Sequence, residues 1–258
     1  MTELTKLEKL KRKAAGLLHQ AAGTSNEHEK NVFRSKAFEL MAQYGLDEAD
    51  LRAMKKDPGK VVVVNIKFEK RYGVAQAQLM HALARPLHCE STHKTNYRSG
   101  TVYGVESHVE RVQILFSILR EQLMEEMSTT KPWQAKDPNR WEWMTVGERA
   151  ACTREHRRGF GVGFSWEVER RLGIAERDVI KEAEEAAAKR NEESGAALML
   201  MSDFEKAKGA LELAHKGEKL SVSKFKMPRQ GMIEGREAGR RADIAGDRTL
   251  KTKTAIGA

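Results

Sequence analysis

The chain has 258 residues and a mass of 29.1 kDa, enough for one large domain or two small ones. Lys and Arg total 46 against 37 Asp and Glu, a net charge of +9 that favours anionic partners. No apolar run approaches the roughly 18 residues that span a bilayer, which excludes a helical membrane protein. Cys89 and Cys152 are the whole cysteine complement, too few for a disulfide-stapled secreted scaffold, and a cytoplasmic setting is expected. The first residues enter a charged helix pattern at once, with no signal peptide in view.

Residues 3 to 22 place Leu4, Leu7, Leu10, Ala14, Leu17 and Leu18 at steps of three and four, the period of an amphipathic helix. Gly23 to Asn26 breaks it, and Ser25 or Asn26 is positioned to cap a second helix running to Tyr44. Gly45 fits a left-handed terminating position, and Asp47 then caps a short third helix to Lys55. Residues 1 to 56 thus read as a helical module ending at Pro58-Gly59.

The period then changes. Val61 to Phe68 is β-branched and begins to alternate after Val64, so it is expected as a strand buried at its start. Tyr72 to Arg85 is helical and stops at Pro86. His88–Thr95 and Gly100–Val105 read as two strands of a hairpin. Ser107 and Glu110 have the spacing of a capping box ahead of a long helix striped by Val109, Val112, Phe116, Leu119 and Leu123. Residues 129 to 144 read as a Trp-rich loop, and Thr145 with Glu148 caps a helix expected to stop at Gly173. The expected organisation is α+β and mostly helical. It has a module over 1–56, a β-α-β-β-α domain with the Trp loop over 57–173, helices over 174–223, and a basic Gly/Arg tail over 224–258.

Lys6-Leu-Glu-Lys-Leu-Lys-Arg-Lys-Ala-Ala-Gly-Leu, followed by Ala37-Phe-Glu-Leu-Met-Ala-Gln-Tyr-Gly-Leu-Asp-Glu-Ala-Asp50, resembles the uncharacterised helical domain of certain bacterial and bacteriophage proteins. The segments His88-Cys89, Val102 to Glu110 and Gly159-Phe-Gly-Val-Gly-Phe164 are similar to the companion domain behind it, and Gly235 to Asp243 to its Gly/Arg ending. The resemblance implies an architecture and a phage or mobile-element setting, with no activity attached.

Basic clusters are the first functional candidates: Lys9, Lys11, Arg12 and Lys13 in the first helix, Arg157 and Arg158 further on, and Arg236, Arg240, Arg241, Arg248, Lys251 and Lys253 in the tail. Such clusters suit a polyanion, because every neutralised phosphate releases condensed counterions. The bland alternative is a solvated helix face. The tail carries nine basic residues against four acidic ones from Lys224 onward, with glycines that would bring backbone close to phosphates. Its few apolar residues leave any order to a partner or to the rest of the chain.

Trp133, Trp141 and Trp143 alternate with Lys131, Lys136 and Arg140, a composition suited either to base stacking or to pinning a loop. Cys89 with His93 and Cys152 with His156 make a zinc set only on paper. On a strand Cys89 and His93 lie about 13 Å apart, too far for one ion, so no metal and no cofactor is expected. A histidine and carboxylate group of His88, His93, His108 and Glu110 gathers near the hairpin, the remaining place for an enzyme site. The expected function is therefore nucleic-acid binding, to DNA or structured RNA including ribosomal RNA, alone or in a nucleoprotein assembly. The alternatives are a hydrolase or nuclease-like enzyme at those histidines, or a protein that takes over a host protein. No membrane partner is expected.

Overall fold

The structure is a computed structural model that describes residues 27–189, 195–220 and 229–242. The element order is α1 (Glu27–Lys55), β1 (Val61–Lys67), α2 (Gly73–Ala84), β2 (Glu90–His93), β3 (Ser99–Val105), α3 (Glu106–Thr129), α4 (Pro138–Trp143), α5 (Val146–Ala188), α6 (Gly195–Ala214) and α7 (Arg229–Arg241). The fold is α+β and mostly helical, as the periodicity indicates. One antiparallel sheet in the order β1-β3-β2 carries it, with Val64 opposite Val102 and Ser91 opposite Val102 on the other side. β1 alternates from its first residue, with Val61 and Val63 exposed and Val62, Val64 and Ile66 half-buried, because only one face is covered.

A single apolar core runs through the described elements. Phe38, Met41 and Ala49 of α1 join Leu79 and Leu83 of α2, Val112, Phe116, Leu119 and Leu123 of α3, and Phe160, Phe164, Val168 and Leu172 of α5. Two expected breaks are absent. Gly45 does not end its helix; α1 continues to Lys55, and Asp47 accepts a 2.8 Å hydrogen bond from Gln43 instead of capping. Gly173 likewise lies inside α5, which runs 43 residues, about 65 Å. Burial of Leu172, Ala175 and Val179 on either side outweighs the ~1 kcal/mol helix cost of glycine.

The two expected capping boxes divide. Thr145 and Glu148 form theirs, with Thr145 N–H donating to Glu148 Oε2 at 2.8 Å and Glu148 N–H to Thr145 Oγ1 at 3.3 Å. Ser107 and Glu110 do not, because β3 leads straight into α3 and the Glu106 N–H donates to Lys60 O at 2.9 Å. The Trp-rich loop is partly helical: Trp133–Lys136 is a 3₁₀ turn, and α4 is capped by Asp137, whose carboxylate accepts the Arg140 N–H at 3.3 Å.

Part of the tail is ordered by the rest of the chain, one of the two alternatives its composition left open. Residues 229–241 form a helix that lies along α5. Gly231, Gly235 and Gly239 recur every four residues and rest against His156, Phe160 and Phe164 of α5, which share that spacing. A Cβ on Gly231 or Gly235 would overlap a carbonyl oxygen of α5, and one on Gly163 would overlap the Met232 carbonyl. The glycines thus serve close helix packing, since only a missing side chain lets two backbones approach so far. Ala238 and Ala242 are buried at the same contact, so this part of the tail is ordered by the rest of the chain.

Candidate functional sites

His88 and His108 are brought together, with ring centroids 5.5 Å apart; His108 lies in a buried network, and His88 stands at its partly exposed edge. Arg52 of α1 makes a two-pronged pair with Asp203 of α6, and His108 donates from Nε2 to the same carboxylate at 3.0 Å. Lys206 adds a second cation at 3.0 Å. Arg111 then donates to His108 Nδ1 at 3.3 Å and to Glu176 of α5, so His108 holds its neutral tautomer. Gly45 is the room for this: a Cβ there would overlap the Arg111 guanidinium. Burial, opposed by the hydrogen bond to Asp203, holds His108 at about 4, and burial holds His88 at about 3. For Asp203 burial acts upward, but His108, Arg52 and Lys206 hold its carboxyl below the ordinary range. Burial pushes Glu176 up against the pull of Arg111.

His108 and Asp203 have no exposed side-chain surface, so no substrate reaches them. His88 adopts a left-handed backbone (φ 57°) in the turn that follows α2, with Nε2 3.8 Å from Glu176. Glu110 is half-buried on α3 and adds its field to Tyr44. His93 sits elsewhere: its Nδ1 is 2.9 Å from His81 Nε2, across the α2–β2 contact. Cys89 is buried and its thiol pushed up to about 12 by burial, while Cys152 is half-buried on α5. Among the described residues no group of three His, Cys, Asp or Glu side chains is arranged to hold a metal.

The basic candidates separate into three kinds. Lys9, Lys11, Arg12, Lys13, Arg248, Lys251 and Lys253 lie outside the described residues. Arg157 is tied into the fold, donating to Ser128 O at 2.8 Å with its guanidinium over the Tyr72 ring, whereas Arg158 is exposed on α5. Arg236, Arg240 and Arg241 stand on the exposed side of α7, because the glycine stripe takes the buried side. Arg236 and Arg240 each bring Nε to 3.7 Å from the enclosed Glu167 carboxylate, which also accepts from Arg170 at 2.6 and 3.1 Å. Burial alone would raise Glu167, but the hydrogen bonds from Arg170 and the fields of Arg240 and Arg236 hold it below its usual value. Three guanidiniums therefore share one carboxylate.

The Trp segment lies beside the same helix. Lys136 pairs with Glu234 of α7 at 3.3 Å, and Thr130 and His156 meet Glu234 as well. Trp133 is 45% exposed with the Arg140 guanidinium 4.6 Å above its ring, and Trp143 is 90% exposed. A cleft of about 520 Å³ opens between Trp133, Cys152, His156, Arg229 and Ile233. These rings are surface features rather than anchors of a buried loop.

Sequence reading missed Arg52, Arg111, Glu176 and Asp203, and also His81, Ser91 and Glu167. Arg111 alone left a trace, a cation standing on the apolar stripe of α3. Arg52 and Asp203 are joined over 151 residues and Arg111 and Glu176 over 65, separations that no local pattern reports.

Residues 9–48 match a domain family described as "Protein of unknown function" (DUF2786). Residues 27–48 of that match form most of α1. No curated protein and no solved structure matches the chain. Among the described residues no helix is long and apolar enough to cross a membrane.

Proposed function

We propose that the protein binds nucleic acid through its phosphates, along the exposed side of α7 and the Trp segment beside it. The observation that supports this reading is the charge ratio on that face. Arg170, Arg236 and Arg240 meet one carboxylate, and Arg229 and Arg241 add two more exposed guanidiniums, against Glu234 and the exposed Glu237 on α7 itself. A helix of 13 residues presents these charges over about 20 Å. Trp133, capped by Arg140, and the open Trp143 ring supply surfaces on which unpaired bases stack.

Contacts of this kind position a polyanion without reading its bases, so DNA and structured RNA are both accepted. The resemblance to bacterial and bacteriophage proteins supports a cytoplasmic role for a phage or mobile-element protein, with a nucleoprotein assembly as its working partner.

Titration of a labelled single strand, a duplex and an RNA hairpin over 50–200 mM salt tests the reading. The expected result is a linear log–log fall in affinity with a slope of about −3 to −4, one phosphate per exposed arginine of α7. No binding, or an affinity indifferent to salt, would overturn it.

A further inference from the structure

A second cleft, of about 440 Å³, lies between the end of α2, the edge strand β2 and the middle of α5. Gln78, His81 and Arg85 line it from α2 and the turn after it, Ser91 from β2, and Trp166 and Glu169 from α5. Ser91 and His93 are two apart on β2, so both side chains stand on the sheet face that α2 covers. His81, in the last turn of α2, meets both: Nδ1 is 2.6 Å from Ser91 Oγ and Nε2 is 2.9 Å from His93 Nδ1. The His93 ring is itself stacked on Tyr97, with centroids 4.9 Å apart and planes 18° from parallel.

A hydroxyl bonded to an imidazole that a third group orients is the arrangement that activates a serine, whatever fold carries it. We propose that this cleft is a hydrolytic site for carboxylic esters, with Ser91 as nucleophile, His81 as general base and His93 as the residue that positions His81. Cys89 lines the same cleft but is a protonated thiol, since burial pushes it up to about 12.

The hydrogen bonds permit one continuous direction. Ser91 O–H donates to His81 Nδ1, and His81 Nε2–H donates to His93 Nδ1. In the first half-reaction Ser91 Oγ bonds to the ester carbonyl carbon while its proton passes to His81 Nδ1. The bond to the alcohol oxygen then breaks, and that oxygen leaves with the proton from His81. Water attacks the resulting acyl-Ser91 ester and gives a proton to His81. Ser91 Oγ departs and takes that proton back, so the products are one acid and one alcohol. Arg85, one turn beyond His81, places positive charge at the cleft for the transient oxyanion, and Trp166 offers a flat wall to the substrate.

Burial, reinforced by His93, holds His81 at about 4, so it is the free base at neutral pH. The charged or titratable groups that share its surroundings are His93 and Glu90 on β2, Arg85 and Cys89 after α2, and Glu169 on α5. The acylation rate should be level from pH 6 to 8 and fall only towards pH 4, not near the 6.5 of an ordinary histidine.

The test is labelling of the full chain with a fluorophosphonate probe, located by peptide mass spectrometry, beside p-nitrophenyl acetate turnover. One adduct per chain on Ser91 is expected, absent in Ser91→Ala and slowed roughly 100-fold or more in His81→Ala. His93→Ala should slow labelling, and His93→Gln, which restores an acceptor for His81 Nε2–H, should recover most of the rate. If His81→Ala fails to fold by thermal melting, competition between the ester and the probe on the unaltered protein decides. No adduct on the folded protein, or one that persists in Ser91→Ala, overturns the proposal. Neither result depends on nucleic-acid binding, because none of these residues belongs to the α7 face.

Discussion

Two regions of this protein are made of the same side chains and do opposite things. Between α1, α3, α5 and α6, Arg52 and Arg111 are matched by Asp203 and Glu176, with His108 as the neutral link. On α7 and the adjoining side of α5, Arg170, Arg236 and Arg240 share Glu167 alone. In the first region every guanidinium has its acid and water is excluded, so the charges serve only to fix how four helices meet. In the second the acid is outnumbered and the guanidiniums reach solvent, so attraction is left over for something else. The ratio of charges and their access to water, rather than the residue types, separate the closed network from the face proposed to bind.

The sharpest way to break that comparison is to unbalance the closed region. Asp203→Ala would leave Arg52 and His108 buried without an anion, and Lys206 with only the Pro58 carbonyl. A loss of about 3–5 kcal/mol is expected, the scale for removing one member of a buried pair, read from denaturant midpoints at constant m. A loss below ~1 kcal/mol would mean that the network opens to water.

The same region sets a pH dependence. His108 and His88 are held at about 4 and about 3 when folded, against about 6.5 in the unfolded chain. Their folded values are lowered, so the unfolded state binds more protons below pH 6.5 and stability falls as pH falls from there towards 4. Asp203, also held low, adds nothing in that window and begins to matter only below its unfolded value near 4. His108→Asn should therefore reduce the loss of stability between pH 6.5 and 4 by about 2–3 kcal/mol, the share of one such histidine, and leave the shares of His88 and of His81, which is also held at about 4. The measurement is a denaturation series at pH 8, 6, 5 and 4.

How far these regions were legible differs for a physical reason. Helices and strands with one covered face announced themselves by period, so α2, α3, α5, α6 and β1 were all visible in the order of residues. Gly45 and Gly173 misled because local propensity is weak and tertiary burial overrode it; Gly45 is a space for Arg111, a partner 66 positions on. The α7 glycines misled in the other direction, since a Gly-x-x-x-Gly-x-x-x-Gly period is a poor free helix and a good docked one. Arg236, Arg240 and Arg241 were legible as charge, but their common exposure follows from that docking. Ser91 and His81 were invisible because a lone serine on a strand and a lone histidine on an apolar helix carry no signal until the fold joins them.

Gly235→Val sharpens the comparison by separating charge from its presentation. It changes no charge, but its side chain would meet the Phe160 carbonyl, so α7 must lift from α5. Overpacking of this kind costs about 1–3 kcal/mol. Nucleic-acid affinity should fall together with the melting temperature although every arginine is kept. Affinity unchanged after a clear drop in stability would show that the tail binds without being docked. Truncation after Lys226 should also lower stability, because it uncovers Phe160 and Phe164 of α5.

The smallest structural effect belongs to the open region, and there the functional effect should stand alone. Arg236→Ala with Arg240→Ala removes two cations from Glu167 but leaves Arg170 hydrogen-bonded to it at 2.6 Å, so the carboxylate keeps a partner. Both side chains are about half-exposed, and substitutions at such positions usually change stability by less than about 0.5 kcal/mol. Binding should respond quite differently. If each arginine neutralises one phosphate, the double variant should lower the salt slope by about two and weaken affinity most at low salt, with duplex and hairpin affected alike. Restoring charge as Arg236→Lys with Arg240→Lys should recover the slope, since a polyanion contact needs a cation more than a planar fork. A slope that stays put while Glu167 and the fold are intact would move the binding face away from α7. The outnumbered carboxylate would then be a packing detail, like the pairs inside the closed network.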